Sequence, residues 1–219
     1  MVSRNLGKDA SQLLRGAAAE YGVTMNDYLV SHLFQTLRRW NDEHRPGKNG
    51  WLRVLIPVNL RSRRDLQLPL TNRLSYGFIT RRTDRLDETS LVRSVAAENA
   101  KLRRIGLPRR LLQKFAVMQR TGLWALVFSP RRCLATAVFS NLGDPTRRFR
   151  KRFPRTDGQI QIGNLRMTAF EGTTALRPLT RAGIFFNTYA GQLTISTRFD
   201  PNHYTIADAE SFLDLFSQQ

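Results

Sequence analysis

The sequence predicts an α/β fold, and two observations carry this prediction. Stretches with apolar residues at helical spacing alternate along the chain with short apolar runs that suit strands. The composition, 41% hydrophobic and 24% charged residues in a chain of 219, is typical of a globular protein with a sizeable core. We therefore expect a single domain over residues 1–219.

Five segments have the helical pattern. Gly22 ends the first helix, because glycine tolerates the left-handed conformation that follows a helix C-terminus. Thr24 is placed to cap the second helix, with Asp27 three residues on as the acidic member of a capping box. Pro108 suits the first turn of the fourth helix. The predicted helices cover residues 9–21, 24–40, 87–105, 108–128 and 206–216.

Six runs predict strands. The first is nearly continuous in apolar residues, which is typical of a buried strand, and Pro57 marks an edge or the exit from it. Ala190 and Gly191 form a tight turn between the last two strands. A loop over 41–49 and a long basic loop over about 144–157 are the main irregular segments. The predicted strands cover residues 51–61, 74–80, 134–140, 159–167, 183–189 and 193–198.

The positive charge is the extreme feature of the composition. Thirty-five Lys and Arg residues against 17 Asp and Glu give a net charge of +18, which favours association with polyanions. The densest stretch, residues 147–155, interleaves aromatic rings with guanidinium groups as nucleic-acid grooves do. However, arginine pairs are scattered over the whole chain, so we do not expect nucleic-acid binding to be its main function.

The chain offers few groups for chemistry of its own. A single cysteine, Cys133, excludes an internal disulfide and a multi-cysteine zinc site. None of the three histidines, His32, His44 and His203, has a second histidine or cysteine at metal-ligand spacing. For His32 we expect core packing or hydration on a helix surface. We therefore predict no self-sufficient catalytic centre, no metal site and no cofactor.

No segment of the sequence predicts membrane insertion. The longest apolar stretches, such as residues 123–128, are far shorter than the roughly 20 residues of a transmembrane helix. The N-terminus has no basic region followed by an apolar block, as a signal peptide would. We expect a cytoplasmic protein, with peripheral contact to anionic lipid left open.

Four blocks in a fixed order resemble the C-terminal half of the coenzyme-A-dependent acyltransferase superfamily. They are residues 22–30, 55–61, 139–143 and 188–196, and the likeness extends from Leu6 to Phe216. The superfamily includes condensation domains of nonribosomal peptide synthetases, wax ester synthase/diacylglycerol acyltransferases and alcohol acetyltransferases. The resemblance implies a fold similar to chloramphenicol acetyltransferase, with a mixed sheet flanked by helices. The Asn26-Asp27 pair looks most like the wax ester synthase version, and the other branches stay open.

The resemblance also accounts for the missing catalytic centre. In that family the general base is the second histidine of a His-His-x-x-x-Asp motif in the N-terminal half, and this sequence contains no two adjacent histidines. The implied chemistry is acyl transfer from a CoA or phosphopantetheine thioester to an alcohol or amine, with the thioester as substrate. This half would be inactive alone. Two alternatives remain: a non-catalytic scaffold half that binds a carrier protein, and a basic nucleic-acid-binding module.

The resemblance assigns six positions to the substrate tunnel, each with a structural alternative. Ser140 would hydrogen-bond the substrate or oxyanion, or end a strand in a local turn together with Asn141. Asn26 and Asp27 match a family motif, but helix capping already accounts for them, and we favour that structural role. Arg61 would form a buried ion pair or be one more surface arginine. The sixth position, before the second strand, is a tunnel residue or a turn residue: Asn72.

The implied partners follow from this assignment. The first is an N-terminal half that carries the histidine motif. Acyl-CoA or an acidic carrier protein would be attracted by the basic charge. An exposed half-tunnel face would be apolar, so a homodimer is a further possibility.

Overall fold

The computed structural model describes residues 1–47, 49–62, 73–85, 87–123, 129, 131–147 and 152–218. Five helices and nine strands lie within these ranges. The helices are α1 (Ala10–Glu20), α2 (Met25–His44), α3 (Glu88–Arg104), α4 (Leu107–Arg120) and α5 (Ile206–Ser217). The strands are β1 (Val2–Asn5), β2 (Trp51–Asn59), β3 (Leu74–Arg82), β4 (Ala137–Asn141), β5 (Arg155–Thr156), β6 (Gln159–Ile162), β7 (Leu165–Arg166), β8 (Ala182–Tyr189) and β9 (Gln192–Phe199).

Six strands form one mixed sheet in the order β1-β9-β8-β4-β2-β3. The central strand β4 is parallel to both of its neighbours, β2 and β8, whereas the outer pairs are antiparallel. Parallel neighbours need long crossover connections. The connection from β2 to β4 contains β3, α3 and α4, and the connection from β4 to β8 contains β5, β6 and β7. The α/β prediction with a mixed sheet flanked by helices is confirmed.

The main core lies between one face of this sheet and the helices. Helix α2 is central and packs against α1, α3 and α5. Alternate residues of the sheet strands point toward these helices, as Leu52, Val54 and Ile56 of β2 do. Phe34 of α2, Phe139 of β4, Phe186 of β8 and Phe212 of α5 are among its fully buried residues.

The opposite face of the sheet is covered around β8 by the small β5-β6-β7 sheet and the segment after it. The Tyr189 hydroxyl accepts from the Ile160 N–H at 2.9 Å and donates to the Met167 carbonyl at 2.8 Å. The Asn187 amide donates to the Phe170 carbonyl at 2.9 Å. Further along the sheet, a small apolar cluster lies on this face: Leu55, Ala135, Val138 and Phe78.

Helix boundaries agree with the sequence predictions except at two C-termini. Helix α2 continues past Trp40 to His44, because the His44 ring stacks on the Trp40 ring with centroids 3.9 Å apart, and the predicted loop over 41–49 is therefore too long. Helix α4 ends at Arg120 rather than near residue 128. Gly122 follows with φ of +72°, which an L-residue adopts only with strain, and residues 124–128 lie outside the described residues.

One strand prediction is wrong, one strand was not predicted, and the strand predicted over 134–140 begins only at Ala137. The single strand predicted over 159–167 is a hairpin of β6 and β7, because Gly163 adopts φ of +59° and reverses the chain. Strand β1 was not predicted, since its four residues have no apolar run and become a strand only by pairing with β9. Among the residues that the structure describes, no helix has the length and apolarity needed to cross a bilayer.

Candidate functional site

The sheet opens between β2 and β4. These strands pair only at Val54 with Ala137 and Leu55 with Val138. Beyond this point β4 continues on β8 and β2 continues on β3. Pro57 lies at the divergence and has no N–H to donate to a neighbouring strand. The predicted exit at Pro57 is thus the place where β2 leaves β4, although β2 itself runs on to Asn59.

A cavity of about 220 Å³ fills this opening. It lies between the separated strands and the helices α2, α3 and α4. Four asparagines and one arginine supply its polar lining, and each amide can both donate and accept hydrogen bonds. The lining residues are Asn26, Ile56, Pro57, Val58, Asn59, Gly77, Asn99, Leu102, Arg103, Pro108 and Asn141.

Asp27 lies beside the cavity-lining residues Asn26 and Asn99 and connects α2 to α3 by a hydrogen bond. Its side chain is buried, with 2% of its residue surface exposed. One carboxylate oxygen accepts from the Asn99 amide at 2.6 Å, and the other accepts from the Thr24 hydroxyl at 2.6 Å. The Thr24 oxygen in turn accepts from the Asp27 N–H at 3.2 Å, so Thr24 caps α2 as predicted. The predicted capping box is not formed, because the Asp27 carboxylate accepts from the Thr24 hydroxyl and not from the Thr24 backbone N–H. Asp27 therefore orients Asn99, whose remaining surface faces the cavity.

Ser140 and Asn141 end β4 and lie on opposite faces of the sheet, because side chains alternate along a strand. Asn141 lines the cavity, and its Oδ1 accepts from the Gly143 N–H at 3.0 Å, which fixes the amide. Ser140 lies on the other face and is half-buried. Within the described ranges, its hydroxyl has no hydrogen-bond partner.

The remaining predicted positions differ in their placement. Asn26 begins α2 and lines the cavity together with Asn141. Arg61 follows β2 as a half-buried residue, and its backbone N–H donates to the Asn59 Oδ1 at 2.9 Å. Asn72 lies outside the described residues.

Sequence reasoning missed Asn59, Asn99 and Arg103. Asn99 carried a usable signal, because it interrupts the apolar face that Val92, Val95 and Leu102 form on α3. A polar residue at a core position needs a buried partner, and here that partner is Asp27. Asn59 and Arg103 carried no such signal, since their positions depend on how α3 crosses the divergent strands.

The arrangement is suited to binding rather than to proton transfer. Amides and a guanidinium can hold carbonyl, amide or phosphate groups by directed hydrogen bonds. The described lining contains no carboxylate, imidazole or thiol, so nothing in it can accept a proton near neutral pH. A general base for a reaction at this cavity would have to come from another segment.

Several solved structures match this chain over nearly its whole length. Trichothecene 15-O-acetyltransferase from Fusarium sporotrichioides matches with a TM-score of 0.67 and 16% identity, over 99% of this chain and 45% of that chain. The wax ester synthase/diacylglycerol acyltransferase from Marinobacter aquaeolei VT8 matches at 0.58 and 14%, over 99% and 46%. The epimerization domain of the third module of tyrocidine synthetase B matches at 0.60 and 15%, over 99% and 45%.

The chain shares its fold with these acetyltransferase, wax ester synthase and synthetase-domain structures. The resemblance seen in the four sequence blocks is confirmed at the level of fold by these structures. The chain spans about half the length of the structures it matches. No model of a known protein family matches the sequence. No curated protein matches it either.

Proposed function

We propose that this chain is the C-terminal half of an acyl-transferring enzyme whose general base lies on a separate N-terminal half. The observation that carries the proposal is the polar cavity between β2 and β4, which can bind a substrate but has no base in its described lining. The acyltransferase-like fold and the half-length match to larger enzymes support the same conclusion.

The divergence of β2 and β4 gives this half a path for an extended substrate. A chain that passes between the two strands meets the Asn26 and Asn141 amides on the helix side. On the other face it meets the Ser140 hydroxyl, for which the described residues offer no partner. A hydroxyl donor at this point would stabilise the oxyanion that forms when an alcohol or amine attacks a thioester carbonyl. The base on the other half would remove the proton of the acceptor.

The test combines the chain with a half that carries the His-His-x-x-x-Asp motif. Thiol release from acyl-CoA and from acylated carrier protein is measured with an alcohol or amine acceptor, for each half alone and for the pair. We expect activity only from the pair. Replacing the oxyanion donor, Ser140→Ala, should lower kcat by about 10²–10³-fold, whereas Ser211→Ala on the exposed face of α5 should leave kcat unchanged.

Three outcomes would contradict the proposal and favour a different function. Full activity of this chain alone would show that it contains its own base. A pair that associates but remains inert with both donors would favour a scaffold half that binds a carrier protein. Binding to duplex or single-stranded nucleic acid that weakens with salt, without association of the halves, would favour a nucleic-acid-binding module.

A further inference from the structure

A second cavity lies on the sheet face opposite the helices, at the start of β2. It has a volume of about 500 Å³, within the usual range of small-molecule sites. Thr136 of its lining lies four residues before Ser140, or about 13 Å along the strand at the usual rise per residue, and the groove shares no lining residue with the cavity between β2 and β4. We call it the Trp51 groove; its lining residues are Trp51, Arg53, Thr80, Cys133, Leu134, Ala135 and Thr136.

An exposed aromatic ring forms one wall of the Trp51 groove. Trp51 has 66% of its surface exposed, which is unusual for the largest apolar side chain. The Arg82 guanidinium lies 5.7 Å from the centroid of the ring and is held there by two hydrogen bonds to Asp84, of 3.0 and 2.8 Å. Arg82 thus contacts the ring, while much of the ring area stays exposed to a planar ligand.

Positive charge surrounds this ring. The Arg53 Nε donates to the Thr80 hydroxyl at 3.0 Å, which fixes the guanidinium in the groove and leaves its terminal nitrogens to meet a ligand. Arg131 and Arg132 are exposed and immediately precede Cys133 in the lining. No aspartate or glutamate occurs between Glu98 and Asp144. Asp84 offsets the charge of Arg82, and the remaining charge of Arg53, Arg131 and Arg132 favours an anion with several oxygens.

We propose that the Trp51 groove binds a nucleotide, with the base stacked on Trp51 and the phosphates on Arg53. An aromatic platform recognises the base because every nucleobase has a π-face. A planar guanidinium recognises phosphate through paired N–H donors. The hydroxyls of Thr80 and Thr136 add polar groups beside the ring. The inference does not rest on acyl transfer, since the groove is separate from the cavity between β2 and β4.

The reactivity of Cys133 provides a way to measure ligand binding to the Trp51 groove. It is the single cysteine of the chain, is exposed and lines the groove. A ligand in the groove should shield its thiol from iodoacetamide, which is uncharged and is not itself attracted by the arginines. The alkylation rate is measured on the full chain with increasing ADP and, in parallel, with inorganic pyrophosphate.

We expect ADP to slow alkylation several-fold at saturation and pyrophosphate to protect far less, because pyrophosphate lacks the ring. Trp51→Leu should weaken ADP protection roughly ten-fold, as loss of one stacked base does elsewhere. Arg53→Gln should weaken it similarly. Arg93→Ala, an exposed arginine on α3, is the matched control and should leave protection unchanged. Alkylation without ligand and circular dichroism verify that each variant is folded.

Three results would overturn the proposal. Equal protection by pyrophosphate and ADP would show that only charge is bound. Unchanged protection by ADP in Trp51→Leu would show that the base does not stack on Trp51. Protection by a single-stranded oligonucleotide at far lower nucleotide concentration than ADP would assign the groove to nucleic acid instead of a free nucleotide.

Discussion

At the scale of the residue, His32 shows how burial governs a titrating group in this core. Its Nε2 donates to the Phe216 carbonyl at 2.7 Å, and its ring packs edge-on against the Phe216 ring with centroids 4.4 Å apart. Burial lowers the pKa of His32 below its usual value of 6.5, although the hydrogen bond to Phe216 opposes that shift. The imidazole is therefore neutral in the folded protein at neutral pH, and the structure selects core packing from the two predicted alternatives.

The lowered pKa of His32 predicts a loss of stability in mild acid. The unfolded chain binds a proton near pH 6.5, and the folded chain binds it only at lower pH. The contribution of His32 is thus fully present above about pH 6.5 and is lost as pH falls toward the folded pKa. The free energy of unfolding in urea should fall from pH 7.5 to 5.5, and less steeply in His32→Gln. His203→Gln, at a half-exposed site, is the control; equal slopes in His32→Gln and wild type would contradict the prediction.

Residue-level prediction from sequence succeeded where the partner is local. Thr24 caps α2 as predicted, because its target N–H is three residues away. The role of Asp27 was only half predictable, because its second oxygen binds Asn99, which is 72 residues distant in the chain. The opposite placement of Ser140 and Asn141 follows from strand alternation, but which of them faces the helices depends on packing.

At the scale of the element, strands with strong apolar patterns were predictable and strands made by pairing were not. The β8–β9 hairpin follows from two apolar strands around Ala190-Gly191, both of which adopt positive φ. Strand β1 has no apolar pattern of its own and exists because β9 offers a sheet edge. The separation of β2 from β4 was signalled by Pro57, whereas the cavity beside it requires α3 and α4 as well.

Strand β8 also depends on a close approach that only glycine allows. A Cβ atom on Gly183 would lie 1.9 Å from the Thr174 Oγ1 and 3.0 Å from a Leu176 methyl carbon. Gly183→Ala should therefore destabilise the fold by about 1–3 kcal/mol in urea unfolding, the usual cost of overpacking. Adding Thr174→Ala should recover part of this loss. Gly16→Ala on the exposed side of α1 meets no atom within 4 Å and should stabilise by about 0.5–1 kcal/mol. An unchanged free energy of unfolding in Gly183→Ala would contradict the close contact.

At the scale of the whole molecule, the fold was predicted through resemblance, because four short blocks in a fixed order are similar to a known family whose fold the solved structures share. The order of the strands in the sheet was not predicted. The placement of the arginines was not predictable in the same way. Their pairs look evenly scattered along the sequence, but folding brings Arg53 and Arg82 together beside Trp51 through the pairing of β2 with β3. Such a cluster depends on strand register, which sequence alone does not give.

The outer face of the β2–β3 hairpin provides the prediction at this scale. Leu74 and Tyr76 of β3 are 38% and 36% exposed, and Tyr76 pairs with Pro57 beside the opening to the cavity. If the histidine-bearing half completes the site from this face, it must bury these side chains, since buried aromatic residues dominate interface energies. Tyr76→Arg should then weaken association of the two halves by at least ten-fold in sedimentation velocity while leaving urea unfolding of this chain nearly unchanged. Leu13→Arg, a 72% exposed site on α1, serves as the control and should associate normally. Undiminished association of Tyr76→Arg would place the other half on a different face and require its base to reach the cavity from the helix side.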